Sequence, residues 1–286
     1  MTETGVLELK DPLYPEKIKQ FVANRKKLYY RGNIDLLKEP AIGIVGSRKC
    51  TPYGHAVATE IAKRAAYFGV TVISGLAKGI DGAAHRGTLI NHGKTIAVLG
   101  CGVDVIYPRQ NKDIYEKIAK EGLLLSEYPF GAPAERYNFP TRNRIISALS
   151  DALIVVEGGT RSGSLITAEC AIEQGKEVFA VPGNINSIYS MGPNKLIRDG
   201  AKPLVLIDEL FTDMGIERPA LRENRNLGSK EESVMTFLQG KGEVAISELC
   251  DKTGMPMAEI NGILTILEIK GLVYCELGKV MVANFT

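Results

Sequence analysis

Between residues 41 and 207, short apolar runs alternate with stretches of helical periodicity. The runs are AIGIVG (41–46), VTVISG (70–75), TIAVLG (95–100), LLLSE (123–127), ALIVVEGG (152–159), EVFAVPG (177–183) and PLVLI (203–207). They are continuously apolar rather than alternating, rich in Val and Ile, and most end in glycine. Strands buried on both faces of a parallel sheet read this way. Between them the pattern predicts helices near 53–68, 80–91, 112–120, 140–149, 163–175 and 193–199. Strand and helix in alternation predict an α/β domain with a doubly wound, mostly parallel sheet.

Beyond 207 the pattern changes. FTDMGIERPALRENRNLGSKEE (211–232) is polar, contains Pro and Gly, and lacks sustained periodicity, so 211–230 reads as a linker. EESVMTFLQGK, ISELCDKTG and PMAEINGILTILEIKG then read as three helices. LVYCELGKVMVANF reads as a hairpin turning at Leu277-Gly278-Lys279. Three helices and a two-stranded wing make a small C-terminal winged-helix domain, 231–286. The predicted order is a leader packing on the core (1–40), the sheet domain (41–210), the linker and the winged helix.

Composition narrows the class. At 286 residues and 45% hydrophobic, the chain has room for one large and one small globular domain. No run approaches the roughly 20 apolar residues of a membrane span. MTETGVLELKDPLYPEK lacks a basic stretch followed by an apolar one, so no secretory signal is expected and the location predicted is cytoplasmic. The five cysteines are scattered without a C-x-x-C pair, and the three histidines show no ligand spacing. Both features point to reduced thiols and no structural metal. The net charge of +2 hides an asymmetry. From Glu231 onward four Lys or Arg stand against eight Asp or Glu, a net −4, which leaves +6 on residues 1–230. If nucleic acid is the partner, the first part binds it.

In an open α/β sheet, ligands bind beyond the carboxyl ends of the strands. The conspicuous residues fall there. Gly46-Ser47-Arg48 follows the first run; Gly75, Lys78 and Gly79 follow the second; Tyr107-Pro108-Arg109 lies after the third. Glu157-Gly158-Gly159 follows the fifth and Pro182-Gly183-Asn184 the sixth. In VVEGGTRSGSLITAE (155–169), Gly158, Gly159, Ser162, Gly163 and Ser164 open a helix. Glycines allow close approach of an anion, and the helix terminus and hydroxyls supply donors, so phosphate is the natural guest. The plain alternative is a tight turn with an N-cap serine. In NFPTRNRIISALS, Arg142 and Arg144 flank Asn143. At i and i+2 the two arginines cannot share one helical face, so at most one faces a given pocket. Either an arginine here contacts a ligand and Phe139 stacks on a base, or one arginine holds a loop through carbonyls and Phe139 belongs to the core. Lys78 is flanked by small residues and reads as a phosphate contact, Asp81 as a helix cap, and His85 as a packing or capping residue rather than a catalytic one. A dinucleotide turn would be followed about 20 residues on by an acid for the ribose. AYFGV (66–70) has none, which argues against a nicotinamide-dependent dehydrogenase.

These motifs resemble the DprA (Smf) DNA-processing proteins of bacteria. The resemblance is carried by GSR (46–48), SGLAKGID (74–81), GCGVDVIYPRQN (100–111), NFPTRNRIIS (138–147), EGGTRSGSLITAE (157–169) and VPG (181–183). The leader DPLYPEKIKQ…LYYRGN (11–33) and the C-terminal LCDKTGMPMAEINGILTILEIKGLV also match. It implies an extended Rossmann-like domain that binds single-stranded DNA as a homodimer. It further implies protection of incoming DNA in natural transformation and help in loading the recombinase RecA, without known catalysis or cofactor. By motif, the DNA contacts expected are Ser47, Arg48, Lys78, Arg109, the Phe139–Arg144 segment and the Gly158–Ser164 loop. Many members begin with an additional small helical domain, whereas this chain starts almost at the leader. Ala148 stands where the family usually has glycine.

Two other functions fit parts of the pattern. Rossmann-like nucleotide N-glycosidases carry P-G-G-x-G-T-x-x-E, for which Glu169 could supply the acid, although Glu157 replaces the proline and the spacing is longer. A regulator sensing a nucleotide-like ligand through the sheet and signalling through the winged helix is the third. The acidic winged helix, with one lysine and two glutamates on PMAEINGILTILEIK, is expected to touch protein rather than read a DNA groove.

Overall fold

The computed structural model describes residues 3–19, 21, 27–217, 227–238, 241, 243–269, 272–276 and 278–282. The chain divides into two compact units, Met1–Arg218 and Pro219–Thr286.

The first unit opens with β1 (Thr4–Glu8), a turn of helix α1 (Glu16–Lys19) and β2 (Lys27–Gly32). Then come β3 (Ala41–Val45), α2 (Pro52–Tyr67), β4 (Thr71–Ser74), α3 (Ile80–Ile90), β5 (Thr95–Leu99), α4 (Lys112–Glu121) and β6 (Leu123–Ser126). The second half runs α5 (Asn138–Leu149), β7 (Ala152–Val155), α6 (Gly163–Glu173), β8 (Glu177–Ala180), α7 (Met191–Arg198), β9 (Lys202–Pro203) and α8 (Ile207–Asp213). The nine strands lie in the order β1-β2-β6-β5-β4-β3-β7-β8-β9. From β6 to β9 every neighbouring pair is parallel. The leader adds an antiparallel margin: β1 pairs with β2, and β2 pairs with β6 at Tyr29↔Ser126. Part of the leader is thus sheet.

Continuous apolarity along the strands follows from burial on both faces. On β3, Ala41 and Val45 pack with Ile145, Ile146 and Leu149 of α5, while Ile42 and Ile44 pack with Ala58 and Ile61 of α2. Each fully buried isoleucine contributes about 1.5–3 kcal/mol of hydrophobic stabilisation.

Two readings change at the end of this unit. The strand expected over 203–207 is only Lys202–Pro203, and Ile207 begins α8. The linker does not start at 211. Phe211 is fully buried and stacks on Phe68 with centroids 4.4 Å apart, so α8 belongs to the core. A seven-residue helix with two buried positions carries too little periodicity to stand out in the sequence. Residues 218–226 of the expected linker lie outside the described ones.

The second unit contains α9 (Ser229–Leu238), β10 (Glu243–Ala245), α10 (Ile246–Thr253), α11 (Met257–Ile269), β11 (Val273–Glu276) and β12 (Lys279–Val282). Its three-stranded sheet, β10-β12-β11, adds a strand to the expected wing. Leu277 of the predicted turn is outside the described residues, and Gly278 has φ +77°. Val234, Leu249, Ile260, Leu267 and Val280 form a separate core. Among the described residues of the chain, no helix is long and apolar enough to cross a membrane.

Candidate functional site

The chain builds outward from β3 in one direction through β4, β5 and β6, and in the other through β7, β8 and β9. The loops leaving β3 and β7 diverge at this switch point and open a crevice. A cleft of ≈1020 Å³ lies there, lined by Gly46, Ser47, Arg48, Lys49, Asp81, Arg136, Phe139, Arg142, Asn143, Gly159, Ser162, Gly163 and Ser164. A cavity of ≈290 Å³ shares Arg48, Lys49, Tyr107, Phe139 and Arg142 with it and adds Gly75, Lys78, Cys101 and Pro108.

The two turns at the switch point are filled differently. Thr51 caps α2, its side chain accepting from Gly54 N–H. Glu157, at the end of β7, reaches across. Its carboxylate accepts Thr51 N–H at 2.8 Å and the Thr51 hydroxyl at 2.5 Å. A Cβ on Gly54 would lie 2.3 Å from Glu157 Cδ, so glycine is what admits the carboxylate. The helix terminus that holds pyrophosphate in dinucleotide-binding sheets is here occupied by the chain's own anion. At α6 there is no acidic residue in the first turn. Ser162 caps this helix, its hydroxyl 2.8 Å from that of Ser164, and Asn143 Nδ2 donates to Gly163 O at 3.2 Å. Gly163 and Gly159 face open space, where even a Cβ would meet nothing closer than Ile188 O at 3.7 Å. The N-cap serine of the plain alternative is present, and the space beside the glycines leaves room for an anion.

The loop from Gly75 to Gly79 carries Lys78, which is exposed and lines the smaller cavity. Asp81 does not cap α3, whose N-cap is Gly79. Its carboxylate turns back and accepts from Gly75 N–H at 3.1 Å and Ala77 N–H at 3.4 Å. Burial pushes its pKa up, opposed by Arg142 and the two amides. His85 is fully buried with Nδ1 2.7 Å from Thr95 Oγ1. The Thr95 hydroxyl donates to Val72 O, so Nδ1 carries the proton, and burial pushes the imidazole pKa down to about 3. It packs, as expected.

The two arginines of α5 part as their spacing predicts. Arg142, 3% exposed, faces the cleft and donates Nη1 to Gly75 O at 2.8 Å and to Val98 O. Burial lowers its pKa to about 10, so it stays charged at neutral pH, and its Nε has no hydrogen-bond partner. Arg144 is turned away. Its Nη2 lies 2.5 Å from Glu127 Oε2, with the Glu127 side chain wholly buried, so Arg144 forms a structural ion pair and lines neither cavity. Phe139 is half-buried and lines both cavities rather than the core. Tyr107 stacks on it at 5.4 Å between centroids, and the Arg48 guanidinium lies 5.3 Å from its centroid.

Gly79, Arg109 and Gly158 do not line either cavity. Gly79 has φ +74°, and a Cβ there would sit 2.2 Å from Ser47 O, so it serves close packing of two loops. Gly158 packs on the Ser162 and Ser164 side chains. Arg109 is exposed at the start of a 3₁₀ turn, Arg109–Asn111. Reasoning from sequence missed Lys49, Arg136, Ile188 and Tyr189, which also line the cleft. The two cations adjoin motifs already singled out, whereas nothing in their residue types distinguishes Ile188 and Tyr189. Arg48, Lys49, Lys78 and Arg136 form no salt bridge with any described residue. Glu169 is exposed on α6 and outside the cleft. Burial raises the Cys101 thiol to about 11. Among the described residues no group of His, Cys, Asp and Glu is placed to hold a metal ion.

The chain matches the family model of DNA recombination-mediator protein A over residues 5–215 and that of the DprA winged helix domain over 218–279. It is 46% identical over 192 residues to the DNA processing protein DprA of Streptococcus pneumoniae, covering 67% of this chain and 68% of that protein. It is 35% identical over 307 residues to Protein Smf of Synechocystis, covering 94% and 77%. The crystal structure of Streptococcus pneumoniae DprA superposes with a TM-score of 0.70 at 41% identity, over 74% of each chain. Helicobacter pylori DNA processing protein A, whose structure describes a single-stranded DNA binding mode, superposes with a TM-score of 0.67 at 31% identity. That match covers 75% of this chain and 98% of the other.

Proposed function

The chain belongs to the DprA (Smf) family of DNA recombination-mediator proteins, and from that premise we propose that its cleft binds single-stranded DNA without cleaving it. One observation carries the reading: Arg48, Lys49, Arg136 and Arg142 converge on one cleft with Phe139 and the serines of α6. Such a surface suits an unpaired strand, because cations and backbone donors take phosphates while an aromatic face takes a base. That the Helicobacter pylori relative binds single-stranded DNA supports this choice of ligand.

In this proposal Ser47, Arg48, Lys78, Arg142, Asn143, Ser162 and Ser164 contact the strand, and Gly46, Gly75, Gly159 and Gly163 let it approach. Arg109 acts at the margin, and Arg144, Gly79 and Gly158 act by packing. The protein works as a cytoplasmic homodimer that protects incoming DNA in transformation and helps load RecA. The winged helix contacts protein: the exposed positions of α11, including Met257, Asn261, Gly262 and Ile266, carry no basic residue.

The test is filter binding of single- and double-stranded oligonucleotides at two salt concentrations. Tighter binding of the single strand is expected, with log K falling by ~0.7 per phosphate contact for each decade of salt. Equal affinity for both forms, independent of salt, refutes the proposal.

A further inference from the structure

The smaller cavity has a wall held in an unusual conformation. Leu76 has φ +56°, a left-handed backbone that a leucine rarely adopts, and its side chain is buried beside Leu99, Cys101 and Val103. Such a residue persists only where its surroundings over-determine it, and such sites cluster at ligand clamps. Three side chains from three elements do so here. Asp81 accepts the amides of Gly75 and Ala77. Arg142 donates to the carbonyl of Gly75 at 2.8 Å. Asn111, from the 3₁₀ turn that follows Tyr107-Pro108, donates Nδ2 to the carbonyls of both Leu76 and Ala77 at 3.0 Å.

Lys78 is the next residue. It is exposed and forms no salt bridge with a described residue. A lysine carries its charge on a flexible stem of fixed length, so the backbone of the turn sets the region its ammonium can reach. Asp81 and Arg142 line the cleft themselves. Asn111 does not line either cavity, is 9% exposed, and acts only on the backbone of the turn. Its carboxamide also ties the Gly75–Gly79 turn to the segment that follows Tyr107 and Pro108, so hydrogen bonds link the two walls of the smaller cavity.

We infer that Asn111 is a positioning residue for single-stranded DNA binding, fixing the Leu76 turn so that Lys78 is presented to the strand. The inference rests on the function proposed above. Pre-placing a charged side chain reduces the ordering cost that binding must overcome.

A double-mutant cycle on the full chain tests it, with oligothymidylate anisotropy at two salt concentrations. The variants are Lys78→Ala, Asn111→Leu, which keeps the branched shape without the donor, and the pair. Each single change is expected to weaken binding roughly threefold to tenfold. Lys78→Ala is also expected to reduce the salt slope by ~0.7 in the wild-type background. In the Asn111→Leu background it should change affinity and slope little further, which a merely structural role would not produce. Equal losses from Lys78→Ala in both backgrounds, or wild-type binding by Asn111→Leu, overturn the inference. So does a Lys78→Ala protein that binds like a binding-competent wild type. A wild-type chain without affinity for the oligonucleotide overturns instead the proposed function. If circular dichroism finds Asn111→Leu unfolded, Asn111→Ala carries the same cycle with the same criteria.

Discussion

The turns after β3 and β7 share one design, a strand running into a tight turn and a capped helix, yet they end in opposite electrostatic states. At α2 the carboxylate of Glu157 fills the helix terminus. At α6 serines and glycines surround a terminus with no acid in its first turn. The partial positive charge of a helix start is available to a ligand only where the chain has not already neutralised it. The lesson is that a strand–turn–helix unit locates a possible anion site, and the nearest carboxylate decides whether it is open.

The contrast yields a graded set of tests. The largest effect is expected from Glu157→Ala, which strips the acceptor from two donors of Thr51 and should cost about 2–4 kcal/mol of stability in urea denaturation. An unchanged midpoint would mean that the α2 terminus was never neutralised from within. Arg48→Ala comes next: loss of about 1–3 kcal/mol in single-stranded DNA affinity, with a salt slope lower by ~0.7 and the melting temperature preserved. Retention of both affinity and slope in the folded variant removes Arg48 from the site. A pair of glycine substitutions then separates the turns. Gly54→Ala forces a methyl against Glu157 and should lower stability by about 1–3 kcal/mol. Gly163→Ala meets open space and a helical position, so stability should hold while DNA affinity falls by about 0.5–1.5 kcal/mol. Identical behaviour of the two variants would erase the distinction. The smallest effect is expected from deleting the chain after residue 225: affinity should change by less than about threefold, roughly 0.65 kcal/mol. Loss of most affinity in a folded truncation would shift the binding site away from both turns.

Much of this architecture is legible in the residues. Seven apolar runs marked most of the parallel sheet, because strands buried on both faces leave an unbroken signature. The i, i+2 spacing of Arg142 and Arg144 already required them to diverge. Which one faced the cleft was not readable, since that depends on Glu127, just past the end of β6, meeting Arg144 in space. Glu157 was visible beside Gly158 but looked like part of the phosphate loop. Its role depends on meeting Thr51, 106 residues earlier. Likewise α8 depends on Phe211 finding Phe68, and Asp81 looked like a cap until the preceding loop curled over it. Local periodicity survives translation into sequence, while pairings across the sheet do not.

The pairing of β2 with β6 sets a delay during synthesis. Tyr29 meets Ser126, so 97 residues separate a leader strand from its permanent neighbour. At about 5–20 residues per second, the β1–β2 ribbon leaves the ribosome roughly 5–20 s before that neighbour exists. Throughout this interval one margin of the ribbon is bare, and the newborn chain depends on chaperones or on simple dilution to keep it from pairing with the wrong strand.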